Sequence, residues 1–244
     1  MSTLSENLQR EGGNTFPMEN VQGRQIESEQ TADLTINDTD NVDGKIIRED
    51  IELPQDFKGN LAFVLYNVFT SKECEDYIAQ TEVMGYEETL VNVGGGRQVK
   101  MTGVRKSSRC IWDTVEEAYR IWERIKSYVP EMWRDRKVLG LNERLRFLRY
   151  DPGDYFQTHL DGAYVRDNGE RSYITVQVYL NQGFKGGSTT FMSYSCENKV
   201  ELVPKTGSVL VFQHDIMHEG SRLEEGRKYT IRPDVMYSAK KTET

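Results

Sequence analysis

Histidine, cysteine and proline are scarce in this chain of 244 residues, with three, three and six copies. The cysteines, Cys74, Cys110 and Cys196, are odd in number, far apart and without C-x-x-C spacing. They speak against a disulfide framework and a structural zinc site, and for a reducing compartment. No apolar run approaches the ~20 residues that a membrane-spanning helix needs. The first residues lack the basic-then-apolar layout of a secretory signal. A cytoplasmic or nuclear protein without membrane contact is the expectation.

Charge is plentiful but unevenly placed. The formal net charge is −8, and residues 1–44 hold nine acids against Arg10 and Arg24. The remaining 200 residues, with 29 bases and 30 acids, are nearly neutral. A body of that kind lacks the broad basic face of a nucleic-acid binder, so a nucleic-acid partner is not expected. Residues 1–44 also lack a sustained apolar period of 2 or 3.6, which predicts a disordered acidic tail ahead of one folded domain over 45–244.

Within that domain the hydrophobic period changes once. Leu61–Val68 reads as a buried strand, and Thr70-Ser-Lys-Glu73 matches a capping box for a helix whose inner face carries Cys74, Tyr77, Ile78 and Thr81. A second helix is predicted from Asp113, with Glu116 at its third position. Its buried stripe would be Val115, Ala118, Trp122, Ile125 and Val129, and Pro130 would end it. Between the helices, Val91–Arg97 contains Gly94-Gly-Gly96 and reads as a flexible loop able to close over a substrate. The second half is different. Arg144–Tyr150, Ser172–Leu180, Ser188–Phe191, Val200–Val203, Ser208–Phe212 and Tyr229–Tyr237 are short β-rich segments separated by turn signals. They predict a β-sandwich or barrel with the two helices packed outside one sheet.

All three histidines, His159, His214 and His218, fall in this strand-rich half. Residues i and i+2 on extended chain share a side, so Thr158-His-Leu-Asp161 presents an imidazole and a carboxylate to one point. A second imidazole from downstream can join them if the sheet closes on itself. Two histidines and one carboxylate form the ligand set of non-haem Fe(II) oxygenases. His214 and His218 compete for the third place. His218 is favoured, because Glu219-Gly220 follows it and Lys228 opens a strand ten residues on. A lysine buried beside such a cleft needs an anion, which a dicarboxylate co-substrate would supply.

With those residues in view, the chain resembles the prolyl 4-hydroxylase-like branch of the 2-oxoglutarate/Fe(II)-dependent dioxygenases. The likeness runs from about Leu61 to Tyr237. It is carried by Arg149-Tyr-Asp-Pro-Gly-Asp-Tyr-Phe-Gln-Thr-His-Leu-Asp-Gly162, Tyr179-Leu-Asn181, Gly186-Gly-Ser-Thr-Thr-Phe191, Pro204-Lys-Thr-Gly207, His218-Glu-Gly220 and Gly226-Arg-Lys-Tyr229, in the family's order. The resemblance implies an α+β, mostly β fold: a double-stranded β-helix, or jelly roll, with supporting N-terminal helices. It makes His159, Asp161 and His218 the iron ligands and Lys228 the partner of the distal carboxylate of 2-oxoglutarate. Tyr150 would border that co-substrate, and the Tyr179 hydroxyl would join Lys228 at its carboxylate. Thr175 and Gln177 share the inward side with Tyr179.

Arg232, two residues beyond Thr230 on the strand of Lys228, would give the co-substrate a second cationic contact or form a salt bridge to the wall. His214 would stand behind the ligands or at the surface, and Arg227 would point away. The cofactors implied are Fe(II), 2-oxoglutarate and O2, with ascorbate as an accessory reductant. The reaction implied is hydroxylation of an unactivated C–H bond, of a prolyl or related residue in a peptide or protein, with release of succinate and CO2. A small-molecule hydroxylase and a non-catalytic interaction module on the same scaffold are the alternatives. Two features stand apart from this core. Lys185 precedes Gly186 where the family often has an acid, and Arg105-Lys-Ser-Ser-Arg109 is similar to the family's Arg-x-Ser-Ser stretch near the substrate groove.

Overall fold

The computed structural model describes residues 44–89, 91–92, 98–99 and 103–240. The expected tail, all but its last residue, and the Gly94–Gly96 loop lie outside the described residues.

From Arg144 onward the chain passes back and forth between two antiparallel sheets. Arg144–Tyr150, Arg171–Tyr179, Val209–Gln213 and Lys228–Arg232 belong to a large sheet. Tyr155–His159, Thr189–Met192 and His218–Gly220 belong to a smaller one. This alternation is that of a jelly roll, as expected. The large sheet is extended at one side by Ala62–Tyr66 and Ile47–Asp50, and at the other by Ser108–Asp113 and Glu87–Glu88. Gly207 fixes the corner where the Ala62–Tyr66 strand ends. Its φ is +75°, its carbonyl accepts from the backbone N–H groups of Val68 and Phe69, and a Cβ there would lie 2.0 Å from the Phe69 carbonyl oxygen.

The period-2 pattern sorts the large sheet into two faces. Leu145, Phe147, Ile174, Val176, Val178, Val209, Val211, Tyr229 and Ile231 point to one side, where they meet Cys74 and Tyr77 of helix α1 (Ser71–Met84) and Ala118, Ile121 and Ile125 of helix α2 (Val115–Ile125). The intervening residues point between the sheets. At one end that interior is apolar, with Tyr179, Phe191, Leu210, Phe212 and Ile216 packed together. At the other end it is polar, and that end holds the site.

The capping box predicted for α1 is present. Thr70 Oγ1 accepts from the Glu73 backbone N–H at 3.2 Å, and Glu73 Oε2 accepts from the Thr70 N–H at 2.9 Å. Helix α2 starts one residue later than expected. Its N-cap is Thr114, whose hydroxyl accepts from the Glu117 N–H, so Glu117 rather than Glu116 takes the third position. The stripe rotates with it: Val115 is 67% exposed, Ile121 is fully buried, and Trp122 is half-buried against the core. The strand expected over Tyr229–Tyr237 is in fact two, Lys228–Arg232 and Asp234–Tyr237. They part at Pro233, which has no N–H to give the ladder.

Candidate metal centre

His159 ends a strand of the small sheet and sits directly across the antiparallel register from His218. Asp161 lies two residues beyond His159 and is held by its backbone N–H, which donates to the His214 carbonyl at 3.0 Å. The register therefore brings both imidazoles to one place, and the local i, i+2 relation adds the carboxylate. One ligand atom from each of His159, Asp161 and His218 lies within 4.8 Å of the others. Nε2 of His159 is 3.6 Å from Asp161 Oδ1, and Nε2 of His218 is 3.7 Å from Oδ2.

The rings are oriented from behind. Nδ1 of His159 donates to the Gln157 carbonyl at 2.7 Å, and Nδ1 of His218 donates to the Ile216 carbonyl at 2.9 Å. A carbonyl can only accept, so each neutral ring carries its proton on Nδ1 and turns the Nε2 lone pair inward. Phe156 stacks on His159 at 3.6 Å between centroids, and Phe212 meets His218 edge-on. Burial pushes His218 down to about 4, against the pull of Asp161 towards protonation. Burial would raise the Asp161 carboxyl, but Arg232 first and then His218 and His159 outweigh it and hold it well below the usual range. Neutral imidazoles and an ionised carboxylate are the protonation states a divalent metal requires. The donor set fits such an ion.

Lys228 lies on the interior face of the large sheet, 3% exposed. Its Nζ donates to the Gly187 carbonyl at 2.5 Å and faces the rings of Tyr150 and Tyr179 at 5.4 and 5.5 Å. No carboxylate pairs with it among the described residues, and burial lowers it from 10.5 to about 7. Gly187, at φ +69°, permits this approach, because a Cβ there would come within 2.9 Å of Leu223 and 3.5 Å of the Lys228 stem. Tyr150, His159, His218, Lys228 and Arg232 all line one cavity.

Tyr179 departs from its expected part. Its hydroxyl donates to Thr189 Oγ1 at 2.7 Å, so it meets Lys228 through its ring face. Gln177 Nε2 donates to the same Thr189 oxygen at 3.1 Å, and both Gln177 and Thr189 line the cavity. Thr189 lies inside the Gly186–Phe191 motif, yet nothing local marked its hydroxyl as the shared acceptor. Of the two parts expected for Arg232, the ion pair is the one seen, its guanidinium lying 2.5 Å from Asp161 Oδ1. His214 is buried, its Nε2 3.6 Å from Asp234 Oδ1 and apart from the triad. Arg227 points outward to Asp151. Lys185 is exposed and pairs with Glu224 at 3.0 Å. Arg105, from the stretch similar to the family's Arg-x-Ser-Ser segment, faces the site. It lines the cavity with its guanidinium over Phe156 at 4.4 Å, and burial lowers its pKa.

Residues 145–232 match the family model of the 2OG-Fe(II) oxygenase superfamily, a span that takes in the triad, Lys228 and Arg232. That stretch is similar to a 2-oxoglutarate/Fe(II) oxygenase domain of the prolyl 4-hydroxylase-like kind. An Arabidopsis thaliana protein with the provisional name prolyl 4-hydroxylase 8 is 29% identical over 134 residues, covering 53% of this chain and 44% of its own. The chain thus spans less than half the length of that relative. Among solved structures, a prolyl hydroxylase from Trichoplax adhaerens, in complex with a peptide fragment of the hypoxia inducible factor oxygen degradation domain, aligns with a TM-score of 0.56 and 16% identity. It covers 74% of this chain and 85% of that one. The viral collagen prolyl hydroxylase of Paramecium Bursaria Chlorella virus-1, in its 2-oxoglutarate complex, aligns at 0.54 and 19%, covering 75% and 99%. These likenesses establish the shared jelly roll. For the oxygenase domain the family implies Fe(II) and 2-oxoglutarate, and the His-Asp-His cluster supplies a site for the metal. No helix among the described residues is long and apolar enough to cross a membrane.

Proposed function

We propose that this protein hydroxylates an unactivated C–H bond, on a prolyl or related residue of a peptide or protein, while 2-oxoglutarate and O2 are converted to succinate and CO2. One observation carries the reading: a buried ammonium with no carboxylate partner among the described residues shares a cavity with a His-Asp-His cluster. The first needs an anion and the second a metal, and a keto-diacid that chelates the metal answers both.

In this reading His159, Asp161 and His218 would hold Fe(II), the ligand set of non-haem iron oxygenases. Bound iron supplies the redox chemistry that couples decarboxylation of the keto-acid to insertion of oxygen into the C–H bond. The chain's own residues bind, orient and shield. Lys228 holds the far carboxylate as a point charge, Tyr150 and Tyr179 wall its aliphatic stem, and Thr189, fixed by Gln177 and Tyr179, offers a hydroxyl beside it. Ascorbate would serve as the accessory reductant. The peptide on the Trichoplax adhaerens enzyme supports a peptide substrate here.

Succinate formation with Fe(II), 2-oxoglutarate, O2 and a panel of prolyl peptides tests the reading. His159→Ala is expected to abolish it. Lys228→Ala is expected to raise the 2-oxoglutarate requirement about 10- to 150-fold, the range for a lost charged hydrogen bond of ~1.5–3 kcal/mol. Absence of peptide-stimulated succinate, with metal bound, would overturn it.

A further inference from the structure

Behind Asp161 runs a row of buried and half-buried charges of alternating sign. Both carboxylate oxygens of Asp161 are already engaged by the protein: the Arg232 guanidinium lies 2.5 Å from Oδ1, and Thr175 Oγ1 donates to Oδ2 at 2.5 Å. Arg232 is itself backed by Asp234, whose Oδ1 is 3.8 Å from the same guanidinium nitrogen. Asp234 Oδ2 accepts two hydrogen bonds from Arg146, each 3.0 Å, and Asp234 is 1% exposed. The row is therefore Arg146, Asp234, Arg232, Asp161, and it ends at the carboxylate of the candidate metal centre.

Packing alone does not call for such a row. Neighbouring inward positions on the same strands hold Leu148 and Thr230, and withdrawing charges from water is costly unless each has a partner. Its geometric effect is specific. A carboxylate with one oxygen tied to a guanidinium and the other to a hydroxyl cannot rotate about Cβ–Cγ. Its Oδ1 and Oδ2 then stay 3.6 and 3.7 Å from the inward Nε2 atoms of His159 and His218.

We propose that Arg232 is a positioning residue for the metal centre: it locks the plane of the Asp161 carboxylate, while Asp234 and Arg146 hold Arg232 in place. This inference rests on the reading of His159, Asp161 and His218 as metal ligands. Its sign separates it from simple electrostatics. The positive charge of Arg232 by itself repels a divalent cation, so a purely Coulombic role predicts tighter metal binding when it is removed. A positioning role predicts weaker binding, because partners behind a ligand are typically worth about 10- to 100-fold in affinity.

The test is Co(II) titration of the full-length protein, following the visible ligand-field bands, with affinity from chelator competition. Wild type should bind one Co(II), and His218→Ala should not; failure there would overturn the metal reading itself. With wild type binding, Arg232→Met is expected to weaken Co(II) about 10- to 100-fold and to alter the bands. Asp234→Asn should act in the same direction by less, and Arg232→Lys, which keeps the charge without the planar fork, should fall between. Unfolding midpoints of the metal-free proteins exclude a general loss of fold, and if Arg232→Met does not fold, Arg232→Lys and Asp234→Asn carry the test. Unchanged affinity and bands, or tighter binding, in the folded variants would overturn the proposal.

Discussion

The two faces of the large sheet are built from the same strands and do opposite things. On the helix side, Phe147, Val176, Val178 and Ile231 bury apolar surface against α1 and α2, and each position is wholly hidden. On the interior side of those strands stand Arg146, Tyr150, Thr175, Gln177, Lys228 and Arg232, where burial costs free energy. The first face stabilises the fold and thereby holds the second in a conformation it would not favour alone. Lys228 shows this most directly, since its ammonium is buried beside two aromatic rings without a counter-ion among the described residues.

Four substitutions would break or sharpen that contrast. The largest effect is expected on the interior face: Asp161→Ala should remove metal binding and bring succinate formation to background. Phe147→Ala, on the helix face, should do the reverse, costing about 3–5 kcal/mol in denaturant unfolding while leaving metal affinity of the folded fraction intact. Loss of metal affinity there would show that the faces are not separable.

Lys228→Met comes next. The native pKa of Lys228 is depressed to about 7 from an ordinary value of 10.5. Between those values the unfolded chain binds the proton and the native one does not, so native stability falls as pH drops from 10.5 towards 7 and is level below. Lys228→Met should erase that slope, on the order of a few kcal/mol across the window, and be more stable than wild type at pH 7 while losing affinity for 2-oxoglutarate. Denaturant unfolding at pH 7 and pH 9 of both proteins reads the difference. An equal slope in both would refute the buried, unpaired ammonium. In wild type, 2-oxoglutarate should bind with uptake of about one proton at pH 8, seen calorimetrically in buffers of different ionisation enthalpy. The smallest effect is Ile231→Val, about 0.5–1.5 kcal/mol in stability with unchanged turnover.

Local signals carried well. The Thr70–Glu73 capping box, the short strands and the His159/Asp161 pair depend on relations within a few residues, and each is found close to where expected, apart from the break of Tyr229–Tyr237 at Pro233. The choice of His218 over His214 rested on neighbouring sequence, and the register that sets His218 opposite His159 accords with it. Relations between strands were not legible. Nothing near Tyr179 indicates that its hydroxyl meets Thr189, and nothing near Arg146 or Asp234 indicates the ion pair between them. The start of α2 was misplaced by one residue because Asp113 and Thr114 are both competent caps, and only the packing of Ile121 chooses between them.

By itself the sequence determined which residues are able to bind a metal and an anion, and which stretches alternate so that those residues face inward. Whether three ligand atoms meet, which nitrogen of each imidazole is free, and which carboxylate Arg232 serves were decided only by tertiary structure. The reason is physical: side-chain chemistry and period are properties of neighbouring residues, whereas register and partnership between strands are set by the folded sheets as a whole.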